Sequence, residues 1–170
     1  MDDDDEAPAW VLQWEDRWNN ESGAGWAISH DGNVLGQLSL RRVDLPSGAG
    51  EISYGALPRA REQGVVSKTL LGLSAPEFEI ADFHRLELSH SVDNPASCAV
   101  DRRCCHLHEG TKRQQAPHLD GWHDMYLHAG LSRAANSRWP GSLCGETVGD
   151  SLSGHDWIYH SRSTHPTLVI

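Results

Sequence analysis

A chain of 170 residues is long enough for one domain with a buried core. Its 24 acidic and 14 basic residues give a net charge of −10, which argues against nucleic acid as a partner and suits a cationic acceptor such as an amine. Because no apolar run is long enough for a membrane span, no secretory signal is visible and the four cysteines lack a disulfide framework spacing, we expect a reduced, cytoplasmic protein.

The N-terminal part of the chain predicts a helix followed by a β-hairpin. Tryptophans recur every four residues from Trp10 to Trp18, which places them on one face of a helix from about Pro8 to Asn20. Trp26–Ser29 and Val34–Val43 then have the pattern of two strands. Asp31-Gly32 between them is typical of a tight hairpin turn, so the two strands should pair directly.

From residue 51 onward the pattern predicts two strand–helix pairs and then two further strands. Pro76 should end or kink the first of these helices, because proline lacks an N–H and its ring clashes with the preceding turn. We expect an acidic segment over residues 1–9, a domain over residues 10–133, and a poorly ordered tail or small appended element over residues 134–170. The predicted elements are a strand over Glu51–Leu57, a helix from Gly64 to about Ala75, a strand over Arg85–Val92, a helix from Ala96 to about Cys105, and strands over Leu107–Gln115 and Trp122–Gly130.

The turn between the strand that ends at Leu57 and the next helix has the features of an anion site. The N–H groups of a first helical turn lack intrahelical partners and, with the helix dipole behind them, attract phosphate. Gly64 has no Cβ, so the backbone can approach a ligand closely there. An ordinary strand-to-helix turn is the alternative interpretation.

Four segments, in order, resemble a known family over residues 10–131. Arg61-Glu62-Gln63-Gly64-Val65-Val66 is similar to the pyrophosphate loop, Gln/Arg-x-x-Gly-x-Gly/Ala, of the GNAT superfamily of acetyl-CoA-dependent N-acetyltransferases. Residues 84–100 resemble the strand and Asn-x-x-Ser helix of its ribosomal-protein N-acetyltransferase (Rim) branch. Residues 120–131 resemble the closing strand of that branch, and residues 26–45 its second and third strands. The first strand and first helix of the family have no counterpart in this match.

The resemblance implies both a fold and a reaction. The fold is α/β (α+β in some schemes), a mixed, mainly antiparallel sheet of about six strands with helices on both faces. The reaction is transfer of acetyl from acetyl-CoA to a primary amine, on a protein N-terminus or a small molecule, by direct attack. Acetyl-CoA is expected in a splayed cleft between the strand ending at Leu57 and the strand ending near Val92. The identity of the acceptor and the oligomeric state, a homodimer included, stay open.

The resemblance also assigns residues to the reaction. Glu51 is the expected general base, and Ser97 is the expected proton source for the leaving thiolate. Asn94 is expected to bond the pantetheine arm, and a backbone N–H near Leu57 is expected to meet the thioester carbonyl. The expected pyrophosphate cradle is made of Arg61, Gln63, Gly64, Val65, Val66 and Ser67.

Two of these assignments have structural alternatives. Glu51 could be a solvated residue at the start of a strand. Asn94 could be a helix N-cap with Ser97 in the first turn, and this role is compatible with coenzyme binding.

Three positions depart from the family pattern. Glu62 places a negative charge beside the expected pyrophosphate, and the branched side chain of Val66 should crowd the cradle. Asp101 stands where many members have a tyrosine that protonates the thiolate, a part that Asp101 cannot play. These departures support a second hypothesis, a catalytically inactive binding module on the same scaffold.

A third hypothesis is a metal-binding protein, because cysteines and histidines recur in the second half of the chain. Adjacent cysteines rarely chelate one ion, and no Cys-x-x-Cys pair is present, so we expect no metal site. The residues considered are Cys104, Cys105, His106, His108, His118 and His123.

Overall fold

The computed structural model describes residues 6–80 and 83–132, which form one six-stranded sheet with three α-helices. The strands lie in the order β1-β2-β3-β4-β6-β5, and only β3 and β4 run parallel. The expected mixed, mainly antiparallel α/β fold is therefore confirmed. The elements are α1 (Glu6–Asn19), β1 (Ala24–His30), β2 (Asn33–Asp44), β3 (Ala49–Ala56), a short 3-10 turn (Pro58–Ala60), α2 (Val65–Ile80), β4 (Arg85–Ser91), α3 (Pro95–Arg103), β5 (Leu107–His118) and β6 (Gly121–Leu131).

The hairpin between β1 and β2 has the predicted turn. Asp31 and Gly32 have φ values of 47° and 75°, and His30 pairs with Asn33 on either side of them. Two consecutive positive φ values give a turn whose twist matches that of the flanking strands. The Asp-Gly pair therefore sets the register next to the turn, and a bulge between Ile28 and Ser29 shifts the register of the remaining pairs.

Alternation along β1 separates the two faces of the sheet. Trp26 and Ile28 face the main core under α2, whereas Gly25, the residue before Trp26, faces α1. A Cβ at Gly25 would lie 2.6 Å from the Trp14 ring, so only glycine lets α1 approach this closely. Helices thus cover both faces, as expected. The main core comprises Ala24, Trp26, Ile28, Leu38, Leu40, Ile52, Val66, Leu70, Leu73, Phe83, Leu86, Leu88 and Cys104.

One helix boundary differs from the prediction. Helix α2 continues through Pro76 to Ile80, so the end expected near Ala75 is wrong. Proline removes one N–H from the helical hydrogen bonds, a local penalty that does not stop the helix here. The predicted tail, residues 134–170, lies outside the described residues. Among the helices within residues 6–80 and 83–132, none has the length and apolarity to cross a membrane.

The parallel pair β3–β4 is joined over only half the length of β3. Ala49–Ile52 pair with Arg85–Leu88, and the pairing stops there. We call Ala49–Ile52 the paired half of β3 and Ser53–Ala56 its open half. The open half still pairs with β2, while β4 pairs with β6 as far as Ser91. The sheet therefore separates between β3 and β4 at the ends of both strands.

Candidate active site

The first turn of α2 follows directly after the open half of β3 and brings the cradle residues together. Gly64 precedes the helix with φ 70°, and the N–H of Lys68 donates to its carbonyl over 3.0 Å. The N–H groups of Val65, Val66 and Ser67 come before this bond and so have no intrahelical acceptor. Three donors at the positive end of a helix dipole form a phosphate site.

Val66 does not crowd this cradle. Its side chain is 8% exposed and packs in the main core, so the crowding expected from the sequence is wrong. A Cβ built at Gly64 would meet no atom within 4 Å. The left-handed φ of Gly64, rather than lack of space, therefore favours glycine at this position.

The other residues of the expected cradle differ in their exposure and in their hydrogen bonds. Arg61 and Glu62 are exposed, and Glu62 has a left-handed φ of 63°. The side-chain amide of Gln63 donates to the carbonyl of Arg59 over 2.7 Å and so supports the turn itself. The Ser67 hydroxyl is buried and finds no hydrogen-bond partner within the described part of the chain. Ser67 therefore belongs to the cradle through its backbone N–H, whereas its hydroxyl is enclosed.

The backbone N–H of Leu57 is not available to a substrate. It donates to the carbonyl of Leu35 over 2.8 Å, so the prediction for Leu57 is wrong. In an antiparallel pair, successive residues direct their N–H groups to alternate sides. The N–H groups of Ala56 and Tyr54 therefore point away from β2, into the opening between β3 and β4. These two groups are the available donors at that place.

Asn94 is the N-cap of α3. Its side-chain oxygen accepts a hydrogen bond from the N–H of Ser97 over 3.1 Å, and Pro95 occupies the first helical position. The capping alternative is thus confirmed. The Asn94 side chain is exposed, and its amide nitrogen lies at the end of β4 next to the opening. The capping role leaves that nitrogen available as a donor.

Tyr54 in the open half of β3 is a site residue that the sequence analysis missed. Its phenol lies close enough to the Ser97 hydroxyl for an interaction, without the geometry of a full hydrogen bond. Burial raises the pKa of Tyr54 far above its ordinary value, and the contact with Ser97 opposes this only in part. Tyr54 therefore stays protonated at neutral pH.

Glu51 is held by two arginines in the paired half of β3. Its carboxylate accepts from Arg41 over 3.1 Å and from Arg42 over 2.7 Å, and its side chain is 14% exposed. The β2 register shifts after Arg41, and Arg42 there has φ 49°. This bulge lets two consecutive side chains reach one carboxylate. Glu51 is therefore not the solvated residue of the alternative interpretation.

Glu51 and Ser97 lie on opposite faces of the sheet. Side chains alternate along β3, so Glu51 leaves the face opposite to Ile52 and Tyr54. Ser97 is beside Tyr54 and so on the core face. The structure therefore separates the two predicted catalytic residues and places the opening of the sheet between their faces.

A comparison with known families identifies the chain. The family model described as an acetyltransferase (GNAT) domain matches residues 2–104. The chain belongs to the GNAT acetyltransferases. It is an acyl-CoA-dependent N-acetyltransferase, with acetyl-CoA as co-substrate and an amine as acceptor, as the resemblance implied.

Individual relatives agree with this family. This GNAT acetyltransferase is 28% identical over 127 residues to the Bacillus subtilis (strain 168) protein named "Putative ribosomal N-acetyltransferase YdaF", covering 74% of this chain and 67% of that protein. Solved structures with the same fold include RimL, a ribosomal L7/L12 alpha-N-protein acetyltransferase in complex with coenzyme A (TM-score 0.72, 24% identity, 75% of this chain and 72% of that one). Another is the microcin C7 self-immunity acetyltransferase MccE in complex with acetyl-CoA and AMP (TM-score 0.70, 21% identity, 75% and 71%).

Asp101, at the position of the family tyrosine, is fully buried among three histidines of the acetyltransferase. Its Oδ2 lies 3.1 Å from His90 Nε2 and 3.2 Å from His128 Nδ1, and its Oδ1 lies 3.9 Å from His106 Nδ1. Burial raises the pKa of Asp101 to about 7 and lowers the pKa of both His106 and His128 to about 4. Asp101 thus belongs to a buried polar cluster that the sequence analysis did not predict.

The cysteines and histidines considered from the sequence do not come together as one ligand group within the described residues. The thiol of Cys104 instead donates to the carbonyl of Ser67 over 3.6 Å, which links the end of α3 to the first turn of α2. Two smaller groups converge, and the second contains two of these histidines; each group has one potential ligand atom per residue within 4.8 Å of the others. They are His90, Cys98 and His128, largely buried, and His118, Asp120 and His123 at the β5–β6 turn.

Proposed function

We propose that this acetyltransferase acetylates the N-terminal amine of a protein, as the names of YdaF and RimL state for ribosomal substrates. The observation that carries the proposal is the opening between β3 and β4 beside the first turn of α2. A net charge of −10 favours the approach of a cationic amine.

We assign the coenzyme to that opening. The N–H groups of Val65, Val66 and Ser67 would hold the pyrophosphate, because they precede the first hydrogen bond of α2 and have no intrahelical acceptor. The pantetheine arm would lie along the open half of β3, with the free amide nitrogen of Asn94 on its other side. Acetyl-CoA supplies an activated thioester, so no covalent intermediate on the protein is needed.

The backbone of the open half would stabilise the transition state. When the amine attacks, negative charge develops on the thioester oxygen. The N–H groups of Ala56 and Tyr54 point into the opening and would donate to that oxygen. This pair replaces the N–H of Leu57, which the carbonyl of Leu35 already occupies.

Tyr54 and Ser97 would together protonate the leaving thiolate. The buried phenol keeps its proton, since its pKa is raised, and the Ser97 hydroxyl lies beside it. Either hydroxyl can donate while the other orients it, which explains how a member without the family tyrosine retains a proton source.

Glu51 remains our proposed general base for the amine. Its carboxylate faces the side of the sheet opposite to Tyr54, so the amine and the thiolate would exchange protons on different sides of the opening. The two guanidinium groups hold the Glu51 carboxylate by ion pairs of 3.1 and 2.7 Å. Arg41 and Arg42 would therefore position the base.

A thiol-release assay over matched acceptors tests the proposed function. The panel contains a peptide with a free N-terminal amine, the same peptide N-acetylated but with an internal lysine, and a small polyamine. We expect acetyl-CoA-dependent thiol release with the free peptide alone. Release with the polyamine alone would reject the acceptor but keep the activity. Acetyl-CoA binding by calorimetry without thiol release from any amine would indicate the inactive module.

A further inference from the structure

Four potential metal ligands, contributed by β4, α3 and β6, lie close together. They are His90 at the end of β4, Cys98 and Asp101 one turn apart on α3, and His128 on β6. His90 is 5% exposed, His128 4% and Asp101 0%, while Cys98 is half-buried. None of these residues has a role in the proposed reaction, so the cluster requires its own explanation.

The hydrogen bonding of His90 indicates that a proton or a metal cation lies within this cluster. Its Nδ1 lies 2.8 Å from the carbonyl of Ser91, which can only accept, so Nδ1 carries the proton. In the neutral ring Nε2 is then an acceptor, and it faces a carboxylate oxygen of Asp101 at 3.1 Å. Two acceptors this close repel each other unless a proton or a metal cation lies between them.

The geometry favours a cation over a proton. The contacts of Asp101 with His90 Nε2 and His128 Nδ1 are short, yet neither has hydrogen-bond geometry, and within residues 6–80 and 83–132 these atoms find no other partner. Ligands about 2.0–2.1 Å from a tetrahedral zinc ion stand about 3.3 Å apart. The observed separations of 3.1 and 3.2 Å match that spacing.

The donor types identify the metal class. Two imidazoles, a thiol and a carboxylate form a mixed nitrogen, sulfur and oxygen set that suits Zn²⁺. The bond from His90 Nδ1 to a carbonyl is the outer-shell contact that usually orients a zinc-bound histidine. The Cys98 sulfur is within 4.8 Å of ligand atoms of His90 and His128, the two histidines that also contact Asp101, so a rotation of the Cys98 side chain toward Asp101 would complete the tetrahedron.

We propose that His90, Cys98, Asp101 and His128 bind one structural Zn²⁺ ion. Four protein ligands leave no open position, so the ion would not activate water but would fasten α3 to β4 and β6. Because α3 carries Asn94 and Ser97 at its start, the ion would also fix these residues relative to the opening.

Metal analysis of the untagged full chain tests the proposal. After treatment with a chelator, exposure to Zn²⁺ and removal of free metal, we expect about one bound ion per chain and a melting temperature several degrees higher than without metal. Co²⁺ should bind in place of Zn²⁺ and give a thiolate-to-metal charge-transfer band. Cys98→Ser should abolish that band, and His128→Gln should reduce the bound metal to near zero.

The matched control is His118→Gln, which removes one ligand of the exposed group His118, Asp120 and His123 and should leave the bound metal unchanged. Loss of metal in this variant alone would place the ion at the β5–β6 turn and overturn the proposal. So would a parent protein that binds no metal. If His128→Gln does not fold, the Co²⁺ spectrum of Cys98→Ser decides, and an unchanged charge-transfer band would also overturn the proposal.

Discussion

The two halves of β3 differ in the number of strands that they pair with, and in the proposed mechanism the reaction takes place beside the half that has one neighbour. In the paired half, residues 49–52, the backbone is bonded to strands on both sides and Glu51 is held by two arginines. In the open half, residues 53–56, the strand has a neighbour on one side only, so the N–H groups of Tyr54 and Ala56 face an opening. The place where strand pairing stops is thus the place where backbone donors become available to a substrate.

The largest effect is expected from Glu51, which tests whether the paired half takes part in chemistry. Glu51→Gln keeps the size but removes the proton acceptor, so kcat/KM should fall by roughly 10²-fold or more and the acid limb of the pH profile should flatten. Arg42→Gln is the matched control: it removes one ion-pair partner of Glu51 but keeps the proton acceptor, so the acid limb should remain.

The steady-state pH profiles of both variants measure this effect. Coenzyme affinity serves as the control and should be unchanged, since neither residue is assigned to the pyrophosphate. An acid limb that stays in place in both variants would remove Glu51 from the mechanism and leave the paired half with a structural role.

Tyr54→Phe removes only the phenol oxygen and so tests whether the open half supplies a proton donor. We expect kcat to fall between about tenfold and 10²-fold, because Ser97 or water can donate in its place, with acetyl-CoA affinity retained. Ser97→Ala should slow thiol release less. Rates of thiol release and calorimetric affinities separate the two quantities, and a Tyr54→Phe enzyme with parental kcat would show that the phenol is only a packing group.

Gly64→Asp tests the cradle at the end of the open half. A carboxylate beside the N–H groups of α2 repels phosphate, and aspartate is strained at φ 70°, so acetyl-CoA affinity should fall more than about tenfold. Gly72→Asp, at an exposed position inside the same helix, adds the same charge and should bind as the parent does. Equal calorimetric affinities for both variants would place the pyrophosphate elsewhere.

The smallest effect is expected from the ion pair between Arg85, at the start of β4, and Glu109. Arg85 donates to Glu109 on β5 and holds the pKa of Glu109 below its ordinary value of 4.5. This stabilisation is present above that pH and is lost as the pH falls through the folded-state pKa.

Glu109→Gln should therefore lower the free energy of unfolding at pH 7 by less than about 1 kcal/mol, since the pair is partly exposed to solvent. The difference should vanish in acid. Urea unfolding at several pH values checks this, with Glu15→Gln on α1 as the control. A difference that persists at low pH would mean that the glutamate contributes packing rather than charge.

Features set by neighbours in the chain could be predicted from the sequence. The Asp31-Gly32 turn, the glycine before α2 and the Asn94 cap each depend on a few consecutive residues, and each is found in the structure. The family motifs extended this to the mixed, mainly antiparallel sheet, to the cleft between the strands ending at Leu57 and near Val92, and to the co-substrate.

Features set by register could not be predicted in this way. The N–H of Leu57 is occupied because Gly36 pairs with Ala56, and Arg42 reaches Glu51 because a bulge shifts β2. The buried cluster combines residues from β4, α3 and β6. One signal was available: His90 continues the inward alternation of Leu86 and Leu88, which indicates a buried histidine in need of a partner.

A crystal structure of the protein with acetyl-CoA bound would show whether the coenzyme lies in the opening between β3 and β4. We predict the pyrophosphate against the N–H groups of residues 65–67, the pantetheine arm along the open half of β3, and the thioester beside Tyr54 and Ser97. A coenzyme held outside the opening between β3 and β4, or a thioester far from Tyr54, would contradict the proposed coenzyme site.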